Sequence, residues 1–223
     1  MRLILIRHGQ TTSNVDGLID TDAPGPGLTA LGFAQAAALP DALGGESIEL
    51  LYASTLVRAR QTAAPLAASL RRDVRVREGL REIGAGTLEM RGDDAAVQLY
   101  RDTTFAWSAG RVDVRMPGAD SGAEVFARYD AVIDEIALAG VGSAAVVSHG
   151  AVIQCWAAAR AHNIPAGFAT RSALTNTGVV LLDGSPRDGW SVLTWDGCPP
   201  ATMMSGRTIA GMKLDIKAPN HSV

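Results

Sequence analysis

Cysteine is scarce in this chain: two residues among 223, Cys155 and Cys198, standing far apart. So few cannot staple a secreted scaffold, and they offer no Cys-based metal site. A reducing compartment is the expectation, and with it a cytoplasmic protein. Positive charge is also in short supply, with 20 Lys and Arg against 23 Asp and Glu and a formal net charge of −3. Nothing there drives sequence-independent binding to a phosphate backbone, so no nucleic-acid partner is expected. Long apolar runs are missing as well. The opening run at residues 3–6 stops at Arg7 and His8, too short for a signal-peptide core or a membrane span, and no membrane partner is expected. The sequence holds no internal repeat, low-complexity tract or Gly/Ser-rich linker. A chain that is 47% hydrophobic and 19% charged is neither disordered nor collagenous. It suits a single α/β domain over residues 1–223 with an excursion at about 82–122.

Leu3-Ile4-Leu5-Ile6 has the pattern of a strand buried on both faces in a parallel sheet. After a loop rich in Gly and Pro, Thr29 is placed to cap a helix whose apolar side is Leu31, Ala34, Ala38 and Leu39. Residues 48–53 read as a second strand. Ser54 or Thr55 then caps a helix to Leu70 with Leu56, Ala59, Ala63, Leu66 and Leu70 inward. From Glu82 to Gly122 the chain is Gly-punctuated and weakly periodic. Helical spacing returns over residues 124–138, followed by a buried strand at 144–147 and a helix over 151–161. Strands at 179–182 and 191–195 read as a hairpin closing one edge of the sheet. The last twenty or so residues read as irregular.

Two segments share one design, an apolar strand followed by His and Gly: Ile6-Arg7-His8-Gly9 and Val147-Ser148-His149-Gly150. Ligands in open α/β sheets bind outside the carboxyl ends of the strands, where both histidines fall. Either could simply end a strand, but the pattern appears twice among four histidines. A glycine after each permits a sharp turn and the close approach of an amide to an anion. Just past the second strand, Arg58 opens a helix on the side where the dipole disfavours a cation, so it needs solvent or an anion; Arg60 reads as solvated. With Arg7 it would form a planar, permanently charged pair matched to phosphate oxygens.

Arg7-His8-Gly9-Gln10-Thr11 with Asn14, Leu56-x-Arg58-Ala59-x-Gln61-Thr62, Leu80-x-Glu82 and Ser148-His149-Gly150 together resemble the histidine phosphatase superfamily. That superfamily includes the cofactor-dependent phosphoglycerate mutases and many broad-specificity phosphatases. The resemblance covers about residues 3–155. It implies a three-layer α/β/α sandwich with a mostly parallel central sheet, phosphoglycerate mutase-like, and a phosphohistidine mechanism without metal or other cofactor. By resemblance, His8 is the nucleophile, Arg7, Arg58 and His149 form the phosphate pocket, Asn14 adds a contact and the Gly150 amide assists. Glu82 matches the acid that protonates the leaving oxygen and later activates water, which requires its protonated form in the first step.

Three segments depart from the family pattern: Gly86-Thr87-Leu88-Glu89-Met90, Pro117-Gly118-Ala119-Asp120-Ser121 and the loop from Asp22 to Thr29. These segments rim the pocket in relatives, so an unusual specificity surface is expected. The short excursion favours a phosphatase over a mutase, which needs more cover to keep water from a phosphoenzyme. The leading expectation is a phosphomonoesterase acting on a small phosphorylated metabolite. A phosphoglycerate mutase and a catalytically weak phospholigand-binding protein are the alternatives, and assembly as a homodimer is left open. Cys155, Cys198, His162, His221 and the four tryptophans read as core or surface residues, with Trp107 the one candidate to line the pocket. Residues 121–124 read as a helix cap.

Overall fold

The computed structural model of the chain describes residues 1–165 and 167–201; the expected irregular tail and His221 lie outside the described residues. In chain order the elements are β1 (Arg2–Arg7), α1 (Thr12–Asp16), α2 (Ala30–Ala37), α3 (Leu39–Ala42), β2 (Leu50–Ser54), α4 (Val57–Leu70) and β3 (Val74–Arg77). After two 3-10 turns, Glu78–Leu80 and Gly86–Leu88, come α5 (Asp94–Ser108), α6 (Gly122–Leu138), β4 (Ser143–Ser148) and α7 (Gly150–Arg160). The last elements are α8 (Phe168–Arg171), β5 (Val179–Ser185) and β6 (Gly189–Trp195). No helix among the described residues is long and apolar enough to cross a membrane.

One six-stranded sheet runs β3-β2-β4-β1-β5-β6. Its first four strands are parallel, and β5 and β6 form an antiparallel hairpin beside β1. The alternation of side chains along a strand divides the core in two. Ile4, Ile6, Ala53, Ala145 and Val147 face α3 and α4. Leu3, Leu5, Tyr52, Ala144 and Val146 face the layer that holds α5, α6 and α7. The continuous apolar run of β1 is thus explained: both of its faces are covered.

The excursion contains a regular helix, α5, that the sequence pattern hides. Its buried face consists of Ala96, Tyr100, Thr103, Thr104, Ala106 and Trp107, so small and hydroxyl-bearing residues stand where a clear apolar stripe would be. Val74 and Val76, set in a charged stretch, form the edge strand β3. Trp107 is fully buried and its indole N–H donates to the Val114 carbonyl, so it packs the core and lines no pocket. Ser121 and Glu124 make a reciprocal capping box at the start of α6, as expected.

Helix α2 is capped by Thr29 as expected, but it turns a different face inward. Leu31 and Ala34 are exposed while Gly32 and Ala36 are buried. The reason is backbone contact: a Cβ on Gly32 would stand 2.2 Å from the Gln10 carbonyl oxygen, and one on Gly9 would stand 2.6 Å from that of Gly32. Close approach of two chains, rather than an apolar stripe, sets the rotation of α2 and seats it against the turn that follows β1. Gly32→Ala is therefore expected to lower stability by about 1–3 kcal/mol, whereas Leu31→Ala changes it by less than about 0.5 kcal/mol. Urea unfolding of the two variants checks the order, and the reverse order would restore the apolar-stripe reading.

Candidate active site

Three strand ends converge. His8 follows β1, Arg58 sits in the first turn of α4 after β2, and His149 follows β4 as the N-cap of α7. The His8 and His149 rings meet edge-on with centroids 5.2 Å apart. Ser54 and Thr55 do not cap α4; Leu56 holds that position without a side-chain bond. Ser54 is instead drawn to His149, leaving the first turn of the helix open around Arg58.

The Nδ1 of His8 lies 2.8 Å from the carbonyl oxygen of Gly9, so Nδ1 carries the proton and Nε2 is the ring nitrogen left free. Burial first, then the positive charges of Arg58 and Arg7, hold the His8 pKa well below its ordinary value. The ring is neutral at neutral pH. The amide of Gly9 is occupied by a hydrogen bond to the Thr62 hydroxyl, so this glycine serves close packing and not an anion.

Arg58 donates through Nε to Nδ1 of His149 at 3.3 Å and through Nη2 to the Asp20 carbonyl at 2.9 Å. The Asp20 carboxylate reaches only to 3.9 Å from Nη1, beyond hydrogen-bond range. Arg7 donates through Nη1 to the Leu174 carbonyl at 2.6 Å. On these two arginines, one buried donor each is then left without a partner among the described residues, Nε of Arg7 and Nη1 of Arg58. Gly25 makes room beside the second: its φ is +68°, and a Cβ there would stand 2.4 Å from Arg58 Nη1. Burial lowers the pKa of both guanidinium groups, with Glu82 the main opposing charge.

Glu82 accepts three backbone N–H groups, from Ile83 at 2.9 Å and from Ala151 and Val152 at 3.0 and 2.8 Å in the first turn of α7. Its loop is clamped from both sides. Arg128 of α6 donates to the carbonyls of Gly79, Arg81 and Glu82, and Ser148 donates to that of Leu80. A cavity of about 270 Å³ is lined by Arg7, His8, Asn14, Arg58, Glu82 and Gly150, with the 17–21 loop as its rim. Six of the seven expected site residues thus come together on one wall. His149 does not reach it. Its ring is fully buried and both nitrogens are engaged, Nδ1 by Arg58 and Nε2 by the Ser54 hydroxyl at 2.8 Å, so it stands behind Arg58 as a support.

A model of the histidine phosphatase superfamily, branch 1, matches residues 3–197. The chain belongs to the histidine phosphatase superfamily. Among curated relatives, PE-PGRS family protein PE_PGRS11 of Mycobacterium tuberculosis is 35% identical over 97% of this chain, which spans only 40% of that protein. Probable phosphoglycerate mutase GpmB of Proteus mirabilis is 30% identical, covering 87% of this chain and 92% of that one. Among solved structures, a mycobacterial glucosyl-3-phosphoglycerate phosphatase complexed with VO3 superposes with a TM-score of 0.71 at 28% identity, over 87% of this chain and 98% of that one.

Within this superfamily member, several supports carry no sequence signal of their own. Asn176, from the loop before β5, donates to the His8 carbonyl and to the side-chain oxygen of Asn14, leaving the Asn14 amide nitrogen for the cavity. Glu89 grips the 17–21 loop through the amide and hydroxyl of Thr21 and the amide of Asp22. Arg128 could have been suspected, as a cation beside the apolar face of α6. Segments 86–90 and 117–121, expected at the pocket rim, line no part of the cavity. Leu88 is buried in the core. Cys155 is buried as expected, its thiol pushed up to about 12 by desolvation. Among the described residues no group of three His, Cys, Asp or Glu is placed to hold a metal ion.

Burial holds the pKa of His149 well below 6.5, with Arg58 the next cause, so the folded state refuses a proton that the unfolded chain accepts below that pH. Stability is lost as pH falls, and His149→Gln removes that share. Relative to this variant, the wild type should lose about 1.4 kcal/mol between pH 7.5 and 5.5. Chemical unfolding at the two pH values measures it, and parallel curves would show that His149 takes up its proton in the fold.

Proposed function

We propose that the chain is a metal-independent phosphomonoesterase that forms a phosphohistidine on His8. The observation that carries this reading is the pair of buried, unpartnered donors, Nε of Arg7 and Nη1 of Arg58, on the wall that also holds His8 and its free Nε2. An unpaired buried donor is costly. Phosphoryl oxygens would satisfy both and bring the phosphorus to the imidazole. The superfamily membership and the similarity to a glucosyl-3-phosphoglycerate phosphatase support the same class of reaction.

In the proposed mechanism the neutral ring attacks phosphorus through the Nε2 lone pair, and the bond from phosphorus to the leaving oxygen breaks. Glu82, in its acid form, gives the leaving oxygen its proton. A water then attacks the phosphoryl group, Glu82 takes the water proton, and the N–P bond breaks to release inorganic phosphate. Arg7 and Arg58 meet the charge on the non-bridging oxygens, and catalysis is mainly positioning and electrostatics. His149 orients Arg58, while Asn14 and the Gly150 amide add donors to the phosphoryl group. Glu82 accepts three N–H bonds, an arrangement suited to the carboxylate form that Glu82 holds between the two steps. The substrate is a small-molecule phosphate ester.

Hydrolysis of p-nitrophenyl phosphate in excess chelator is expected to persist in the wild type and to fall by at least about a thousandfold in His8→Ala. Glu82→Gln should slow alkyl phosphates by about 100-fold or more, and p-nitrophenyl phosphate less, because that leaving group needs no proton. Equal rates in wild type and His8→Ala would remove His8 as nucleophile. Transfer only in the presence of a bisphosphate primer would point to a mutase, and phosphate binding without turnover to a ligand-binding protein.

A further inference from the structure

A second cavity, of about 350 Å³, lies beside the first. Arg7, Tyr100, Ala151 and Gln154 line both, so the two are neighbouring compartments that share one wall. That wall is fixed: the Tyr100 hydroxyl donates to the Ile83 carbonyl, and the Gln154 amide to that of Ser172. The opposite side is built by α5 and α8, which contribute Arg101 and Arg171. The Arg101 guanidinium lies over the Phe105 ring at 5.7 Å, with Nη2 3.5 Å from the Thr170 carbonyl, and this seats it at the mouth between the two helices. Among the described residues three arginines therefore line this compartment and no Asp or Glu does. Among the described residues neither Arg101 nor Arg171 has an ion-pair partner. The formal net charge of the chain is −3, so this concentration of positive charge is local.

Resting on the phosphomonoesterase reading, we propose that this compartment receives the alcohol part of the ester. It selects alcohols that carry a second anionic group, a carboxylate or a further phosphate, which Arg101 and Arg171 bind. Only the first compartment offers the phosphoryl group a nucleophile. An ester held there can direct the rest of its chain past Tyr100 or Gln154 into the second compartment, whose permanently charged donors are guanidinium groups. A planar, permanently charged fork suits either anion. A neutral alcohol would gain only the weaker hydrogen bonds of an uncharged acceptor.

The test uses two matched pairs of esters: glycerol 3-phosphate against 3-phosphoglycerate, and 3-hydroxypropyl phosphate against propane-1,3-diyl bisphosphate. The wild type should prefer the doubly anionic member of at least one pair by about tenfold in kcat/KM, one charge-assisted contact's worth. The favoured pair identifies the anion. In Arg101→Gln/Arg171→Gln, with its fold checked by thermal midpoint and each single variant measured alongside, the preference should fall to within about twofold. Absence of preference in the wild type, or its survival in the double variant, overturns the proposal. Should no ester be hydrolysed, the phosphatase reading fails on its own. The ratio of Kd values from calorimetry on the same pairs then decides the compartment by the same two criteria.

Discussion

Two guanidinium groups, that of Arg58 buried and that of Arg7 largely so, lie at the carboxyl edge of the sheet with no carboxylate hydrogen-bonded to either among the described residues, and much of the surrounding structure follows from this constraint. Burying a cation costs several kcal/mol unless it is paired and hydrogen-bonded. Here the bonds go to neutral acceptors: the carbonyls of Leu174 and Asp20 and the ring nitrogen of His149. Such partners fix direction without cancelling charge. Burial, and with it the field that remains, lowers the proton affinity of His8, which keeps the imidazole neutral, and opposes protonation of His149, which keeps Nδ1 an acceptor for Arg58. The Asp20 carboxylate, its other oxygen taken by Ser13, stays short of hydrogen-bond contact with Arg58.

Rigidity in the site comes from carbonyls as well. Arg128 binds three of them in the segment ending at Glu82, and Asn176 ties the His8 carbonyl to Asn14. These side chains act mainly on backbone, so they position the groups that line the cavity without lining it themselves. Preorganised donors of this kind need little reorganisation when charge develops on a phosphoryl group. The same arrangement favours an anion as a stabilising ligand, because its binding satisfies donors that the folded chain leaves open.

Much of this was legible from the residues. The apolar runs of β1 and β4 gave the buried strands, and the repeated His-Gly after them gave the place of the site, because strand ends in an α/β sheet are where backbone frees side chains to converge. The rotation of α2 was not legible, since a contact between two glycines has no periodicity. Helix α5 was hidden because Thr103, Thr104 and Ala106 fill space without an apolar signature. The standing of His149 behind Arg58 depends on Ser54, a residue that reads as a helix cap from sequence and becomes a hydrogen-bond partner only when β2 and β4 lie side by side.

Departures from the family pattern bear on specificity in a way that their positions decide. Leu88 lies in the core, Glu89 clamps the 17–21 loop, and Asp120 and Ser121 close the turn into α6. A change at such joints alters how the scaffold is held and, at Glu89, how the 17–21 rim of the first compartment is held. The unpaired guanidinium groups of Arg101 and Arg171 lie elsewhere, on α5 and α8, where they line the second compartment. Helix α5 belongs to the excursion and α8 to the segment between α7 and β5, neither part of the parallel sheet that places His8, Arg58 and Glu82. The sheet thus sets the first compartment and α5 and α8 the far side of the second, with Arg7, Tyr100, Ala151 and Gln154 lining both.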